Sequence, residues 1–252
     1  MCVIIYIPKD ESIETNEIKA AWETNPHGAG FIIRDHNDII FRKGYMSLNR
    51  YKRVVNNLMG EEDLMLHFRI TTSKEVNEMQ THPFCLEDIE EKEGGITDLS
   101  TAMNGIVQNQ KTYKGYNDTM SFIKDNKWLF ERVRDRTNYK EWGDIITRRS
   151  NAKWCIMTPN RTYLSKQFVE VDGVSYSNLN HFRRMEPEYE LNKEDILNER
   201  LLYALRKDKK LSEAVNNYIR NKCSHIYCGE CTKCLINAKT LRDIKITLNE
   251  NK

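Results

Sequence analysis

Nowhere in the 252 residues is there an apolar run approaching the ~20 residues that a helix needs to cross a bilayer, so no membrane segment is expected. The N-terminal apolar stretch, Val3 to Ile7, is too short for the hydrophobic region of a signal peptide, and no basic residue precedes it. Export is therefore not expected, and the expected compartment is cytoplasmic. An excess of one charge is missing as well, with 39 Lys and Arg against 37 Asp and Glu. At 30% charged and 39% apolar residues, this balance excludes a disordered polyelectrolyte and suits a globular chain. Internal repeats and low-complexity tracts are also lacking. The length then allows one large domain, or one domain with an appendage.

What is present is unevenly distributed. Residues 1–190 hold 26 basic and 29 acidic residues, net −3, whereas 191–252 hold 13 and 8, net +5. The seven cysteines divide in the same way. Cys2, Cys85 and Cys155 are scattered, while Cys223, Cys228, Cys231 and Cys234 crowd into the second part. In a reducing compartment such a cluster points to a metal rather than to disulfides.

The first part reads as short β-branched and aromatic strands joined by polar turns: Cys2 to Ile7, Gly30 to Arg34, Ile39 to Arg42, Leu64 to Ile70, Ala102 to Gln108, Lys153 to Thr158 and Thr162 to Ser165. Helices are predicted over Tyr51 to Met59, Asp118 to Lys124 and Lys127 to Asp135. Strands and helices do not alternate one for one, which disfavours a doubly wound parallel sheet and favours an α+β layer arrangement. After Asn192 the pattern becomes helical, with Leu197, Leu201 and Leu205 on one face, and Ser212 opening a second helix. The boundary is placed near Glu186 to Leu191, where Met-Glu-Pro-Glu breaks the strand pattern, giving units 1–190 and 191–252.

Cys2 follows Met1 at the start of an apolar strand. Removal of Met1 would leave a thiol beside a free α-amine whose ordinary pKa is ~7.7–8.0, a base able to activate the nucleophile without a histidine. Alone, a second-position Cys is as well read as a small apolar strand residue. Further segments follow it in order: Asn25-Pro-His-Gly-Ala-Gly-Phe31, His67-Phe-Arg-Ile-Thr-Thr-Ser73, His82-Pro83-Phe84, Met103-Asn-Gly-Ile-Val-Gln-Asn109 and Tyr116-Asn-Asp-Thr119. In this set the chain resembles the class II glutamine amidotransferases, which are N-terminal-nucleophile (Ntn) hydrolases, over roughly residues 2–170. The resemblance implies a four-layer αββα sandwich and hydrolysis of the side-chain amide of L-glutamine, with ammonia released to an acceptor substrate or a partner enzyme.

The chemistry required can be set beside those residues. An amide hydrolase needs donors aimed at the developing oxyanion, and the Asn104 side chain with the Gly105 N–H could supply two from one strand end. The dipeptide alone reads equally as a type I′ hairpin turn. Free glutamine carries a carboxylate and an ammonium, for which the resemblance implies Arg69 and Asp118. A guanidinium grips a carboxylate through two parallel hydrogen bonds. By pattern alone Arg69 is a surface strand residue and Asp118 a helix N-cap. Thr72 falls where the family has a substrate-contacting threonine. His67 and His82 read as structural, because the mechanism already has its base. Val3, Ser73 and Met103 depart from the family's usual glycine, histidine and histidine at their positions.

In the tail, Cys223, Cys228, Cys231 and Cys234 are separated by four, two and two residues and can reach one tetrahedral ion, with His225 as a possible substitute ligand. Zinc is favoured over an iron–sulfur cluster, since nothing else in the chain suggests redox work. About twenty residues here resemble the zinc tail of ATP pyrophosphatases related to 7-cyano-7-deazaguanine synthase. Their Ser-Gly-Gly-x-Asp-Ser loop has no counterpart, because Glu93-Gly-Gly-Ile-Thr-Asp-Leu-Ser100 lacks the first serine and is two residues too long. An ATP-using activity within the chain is therefore not expected, although nucleotide or nucleobase modification beside such a partner would suit the combination. Four thiolates around Zn²⁺ bring the tail's +5 down to about +3, modest for phosphate contacts, so nucleic-acid binding is not expected. Two alternatives stay open: an Ntn hydrolase of another amide, and a catalytically silent module docking through its zinc tail.

Overall fold

The structure, a computed structural model, describes residues 1–71, 76–91 and 93–185. The expectations for Thr72, for the helices after Asn192 and for the four tail cysteines lie outside the described residues.

The chain enters through β1 (Val3–Ile7), α1 (Thr15–Thr24), β2 (Ala29–Asp35), β3 (Asp38–Tyr45), α2 (Leu48–Val55) and β4 (Leu64–Phe68). Then come β5 (Phe84–Cys85), β6 (Gly94–Thr97), β7 (Ser100–Asn104), α3 (Asp118–Asp125), α4 (Lys127–Asp135) and α5 (Tyr139–Ser150). β8 (Lys153–Thr158), β9 (Arg161–Leu164), β10 (Val169–Val171) and β11 (Val174–Tyr176) complete the sheets. Among the described residues the strands form a seven-stranded sheet, β10-β11-β1-β4-β2-β3-β6, and a four-stranded sheet, β5-β7-β8-β9. Every pairing in both is antiparallel. No helix among the described residues is long and apolar enough to cross a membrane.

Side-chain alternation dictates how these sheets stack. In β1, Val3, Ile5 and Ile7 face one way and join a core with Ile18 and Ala21 of α1 and Tyr51 and Val55 of α2. Ile4, facing the other way, packs with Ile32, Phe41 and Met65 of its own sheet and with Ala102, Cys155 and Met157 of the other. The four-stranded sheet repeats the pattern. Its opposite face presents Met103, Trp154 and Ile156 to Met120 and Phe122 of α3, Leu129 and Phe130 of α4, and Ile146 of α5. Two sheets thus lie face to face with helices on both outer sides. At ~1.5–3 kcal/mol for each fully buried large apolar side chain, three contiguous cores supply the main drive for folding.

The sequence-predicted ends differ from the structure in instructive places. β8 and α4 match to the residue. β7 stops at Asn104 rather than running to Gln108, because Gly105 turns the backbone to a φ of 149°. α3 is capped by Asn117, whose Oδ1 accepts from Met120 N at 2.8 Å, so Asp118 is the first helical residue and its carboxylate is free for another task.

Candidate active site

Four strands end their inward-facing alternation at one edge of the sandwich, and each ends it with a polar side chain. β1 faces Ile4 inward, which puts Cys2 on the same side, and β4 does so with Met65 and His67, followed by Arg69. Because Val3 pairs with Phe68, Cys2 emerges beside the Arg69–Ile70 segment. In the other sheet, Ala102 is followed on its face by Asn104, and Cys155 is preceded by Lys153; Asn104 and Lys153 are paired directly. Register alone therefore gathers residues distant in sequence.

The Cys2 thiol is half-buried and accepts the Ile70 N–H at 3.4 Å, while its sulfur lies 3.5 Å from Ile70 O. The Cys2 carbonyl accepts from Asn178 Nδ2 at 2.7 Å. Burial pushes the thiol above its ordinary pKa; the Ile70 N–H, the chain-terminal ammonium and the Arg69 charge pull the other way. With Met1 in place, the thiol is thus held protonated.

Arg69 is 7% exposed. Its backbone is clamped on both sides, N donating to Gly28 O at 2.8 Å and O accepting from His27 N at 3.0 Å. Its Nη2 donates to Gln80 Oε1 at 3.2 Å, whereas its buried Nη1 has no partner among the described residues. Burial lowers the guanidinium's pKa, and the charges of Cys2 and Asp118 oppose that shift. Both groups are therefore within electrostatic reach of Arg69. Asp118 is half-buried, and its Oδ2 accepts from Val107 N at 2.8 Å, tying the start of α3 to the loop that follows Gly105.

Asn104 is 3% exposed; its Nδ2 lies 2.9 Å from Ser177 Oγ, and its Oδ1 is buried with no partner among the described residues. Gly105 sits against the chain leading into β8. A Cβ there would lie 2.9 Å from Ala152 Cβ, and the φ of 149° is one that side chains rarely adopt. The chain continues from Gly105 to α3 rather than straight back in a hairpin, so the turn reading of Asn-Gly does not hold. Gly30, in the segment that runs beside β4, also cannot carry a side chain, since a Cβ would lie 2.2 Å from His82 O.

His67 and His82 lie behind the edge, with His82 Nδ1 2.9 Å from His67 Nε2. Burial, followed by the Arg69 charge, lowers the His67 imidazole to about 3, and burial holds His82 well below its ordinary value. Both rings are neutral near pH 7, so one donates and the other accepts across the pair. This is a structural arrangement.

The structure thus brings Cys2, Arg69, Asn104, Gly105 and Asp118 to one edge, while Thr72 falls outside the described residues. It adds Gln80, Ser177 and Asn178, which no motif singled out, and gives a contact to His27 of the Asn25–Phe31 segment. Gln80 fixes the guanidinium. His27 Nδ1 accepts from Thr71 N at 3.0 Å. Ser177 and Asn178 hold the chain start. Gln80 lies next to the His-Pro segment, but Ser177 and Asn178 have no local signal and are found only through sheet pairing. Among the described residues no group of three or more His, Cys, Asp or Glu side chains could hold a metal ion.

Neither a known protein family nor a curated protein matches the sequence. Solved structures of similar shape include two enzymes. One is the glutamine phosphoribosylpyrophosphate amidotransferase from B. subtilis complexed with ADP and GMP, at 15% identity and a TM-score of 0.45, over 73% of this chain and 43% of that one. The other is described as the allosteric regulatory enzyme of purine biosynthesis, at 15% identity and a TM-score of 0.41, over 70% of this chain and 41% of that one. The chain spans less than half the length of either.

Proposed function

We propose that this chain is a class II glutamine amidotransferase of the Ntn-hydrolase type, using Cys2 as nucleophile once Met1 is removed. The observation that carries the reading is the buried Arg69 guanidinium, whose Nη1 has no partner among the described residues, in electrostatic reach of both the Cys2 thiol and the Asp118 carboxylate. An unmet buried cation beside a nucleophile suits a substrate carboxylate. Asp118, the nearby anion, suits the α-ammonium of the same amino acid.

The α-amine of Cys2 takes the thiol proton, and Sγ attacks the amide carbonyl carbon of glutamine. The carbonyl π-electrons move to oxygen, where the Asn104 side chain and the Gly105 N–H stabilise the oxyanion. Collapse breaks the C–N bond, and the protonated amine returns its proton to the departing nitrogen, which leaves as ammonia. Water then adds to the thioester, expels the thiolate and yields glutamate, with the α-amine again carrying the proton. Ammonia passes to an acceptor or a partner synthetase, nucleotide or nucleobase modification being the chemical context favoured by the tail.

Cys223, Cys228, Cys231 and Cys234 are proposed to hold one structural Zn²⁺, for which four thiolates at this spacing are a fitting donor set. Metal analysis of the purified full chain should give one zinc per chain and no iron; iron with acid-labile sulfide would replace this assignment by a cluster.

The deciding experiment is Cys2→Ala, assayed for glutamate and ammonia release. Hydrolysis should fall below detection while the melting temperature is kept, and mass spectrometry of the active protein should show loss of Met1. Undiminished hydrolysis by Cys2→Ala would sink the assignment.

A further inference from the structure

Ser177 is fully buried just beyond β11, at the point where the two sheets meet beside the chain start. Its N donates to Ile4 O at 2.9 Å, and its Oγ accepts from Ile4 N at 2.8 Å. The same oxygen stands 2.9 Å from Asn104 Nδ2, and the Ser177 carbonyl accepts from Lys153 Nζ. One residue therefore touches β1, β7 and β8.

Counting donors and acceptors exposes a conflict. A serine hydroxyl has two lone pairs and one proton. With Ile4 N–H and Asn104 Nδ2 both directed at it, the lone pairs are filled and the proton has no acceptor among the described residues. Meanwhile Asn104 Oδ1 is buried with no donor. Two unmet polar atoms on adjoining side chains are unusual in a protein interior, where such groups are nearly always paired. A half-turn of the Asn104 amide about its Cβ–Cγ bond resolves both at once. Ser177 still accepts from Ile4 N–H and gives its proton to Oδ1. Nδ2 takes the place that Oδ1 held and carries N–H groups with no protein acceptor among the described residues.

We propose that Ser177 is a positioning residue, which uses its hydroxyl proton to hold Asn104 with the amide nitrogen free to donate to the substrate. The Ile4 N–H fixes one lone pair of the hydroxyl, and what sets the direction is that the Ser177 proton has no other acceptor, and Asn104 Oδ1 no other donor, among the described residues. Because Ile4 lies two residues beyond Cys2, the strand that carries the nucleophile also orients the oxyanion donor. The role in turnover rests on the proposed amidotransferase reading, whereas the amide orientation does not.

The two parts separate experimentally. Neutron diffraction from crystals of the full chain should place deuterium on Ser177 Oγ pointing at Asn104 Oδ1; Asn104 Nδ2 facing Ser177 would overturn the proposal whatever the activity. In turnover, Ser177→Ala should lower kcat for glutamine hydrolysis ~10-fold or more, a part of the ~10²–10³ expected for losing an oxyanion donor. KM should stay within about twofold, and iodoacetamide should alkylate Cys2 at the wild-type rate, readouts that a collapsed site would move. In the Asn104→Ala background, Ser177→Ala should cost nothing further; equal losses in both backgrounds, or an unchanged kcat, would overturn the role. Should Ser177→Ala not fold, the nearly isosteric Ser177→Cys, a weaker donor, must give an intermediate kcat with the same split. Wild-type protein without glutaminase activity, or activity that survives Cys2→Ala, would remove the functional reading and leave the neutron result standing.

Discussion

The two ends of the space between the sheets are built from opposite materials. At one end Ile32, Ile39, Phe41 and Met157 fill it with apolar side chains. At the other β4, β7 and β8 present His67, Arg69, Asn104 and Lys153, with Ser177 bonded to the last two. The β2–β3 ladder shifts register between Ala29 and Phe31, beside the polar end. Buried polar groups are tolerated where they satisfy one another, as His82 Nδ1 and His67 Nε2 do. Among the described residues Arg69 Nη1 and Asn104 Oδ1 have no partner, as have His67 Nδ1, Asn25 Oδ1 and His181 Nδ1, and the first two belong to the edge that carries Cys2. The difference teaches that stability is drawn from one end and the outer cores, while the other end is where the proposed ligand would find groups still to be paired.

That contrast can be broken most severely in the helix-covered outer core of the four-stranded sheet. Trp154→Ala should cost ~3–5 kcal/mol of stability, read by urea denaturation, since the ring is fully buried against Phe122 and Phe130. Asn104→Ala should do the reverse, lowering glutamine hydrolysis ~10²–10³-fold in steady-state assays with a much smaller loss of stability. Arg69→Met should raise the KM for glutamine ~10–100-fold, the range expected for a lost charged hydrogen bond, and leave the melting temperature unchanged or higher. A large loss of stability there would show that the guanidinium is part of the scaffold.

Acid sharpens the comparison further. His67 is neutral in the folded chain down to about pH 3, whereas an unfolded histidine binds a proton below ~6.5. Between those values the unfolded state holds more protons, so stability falls as pH is lowered through this window, by up to ~1.4 kcal/mol per pH unit for each such histidine. His82 adds to the slope. Replacing His67 by Phe should flatten it in denaturation curves taken between pH 7 and 4. The smallest effect is expected at Ile96, exposed on the outer strand β6, where Ile96→Lys should change stability by no more than ~0.5 kcal/mol.

What the sequence made legible follows the same division. β8 and α4 could be read to the residue because strong apolar periodicity meets clear polar boundaries. α1 and α5 could not. α1 starts with no side-chain cap bond, and α5 contains Gly143, which is needed because a Cβ there would lie 2.3 Å from the Tyr163 ring. β10 and β11 are three residues each and exist only through pairing, although Asp172 and Gly173, both at positive φ, mark their turn. At the site, the order of short motifs singled out Cys2, Arg69, Asn104 and Asp118. Gln80, Ser177 and Asn178 act through distant partners, and no local pattern announces such contacts. Asp118 shows how close the two readings lie: its neighbour Asn117 takes the capping task, and its own carboxylate bonds Val107 instead.

The gathering of Cys2, Arg69, Asn104, Lys153 and Ser177 at one edge has a kinetic consequence. Their strands come from the beginning, the middle and the end of the described chain, so no early-forming hairpin contains the site. It comes into being only when both sheets have formed and closed on each other, and such long-range pairing is slow. Recovery of turnover during refolding therefore reports the closure of the whole sandwich, well after the helical signal has returned.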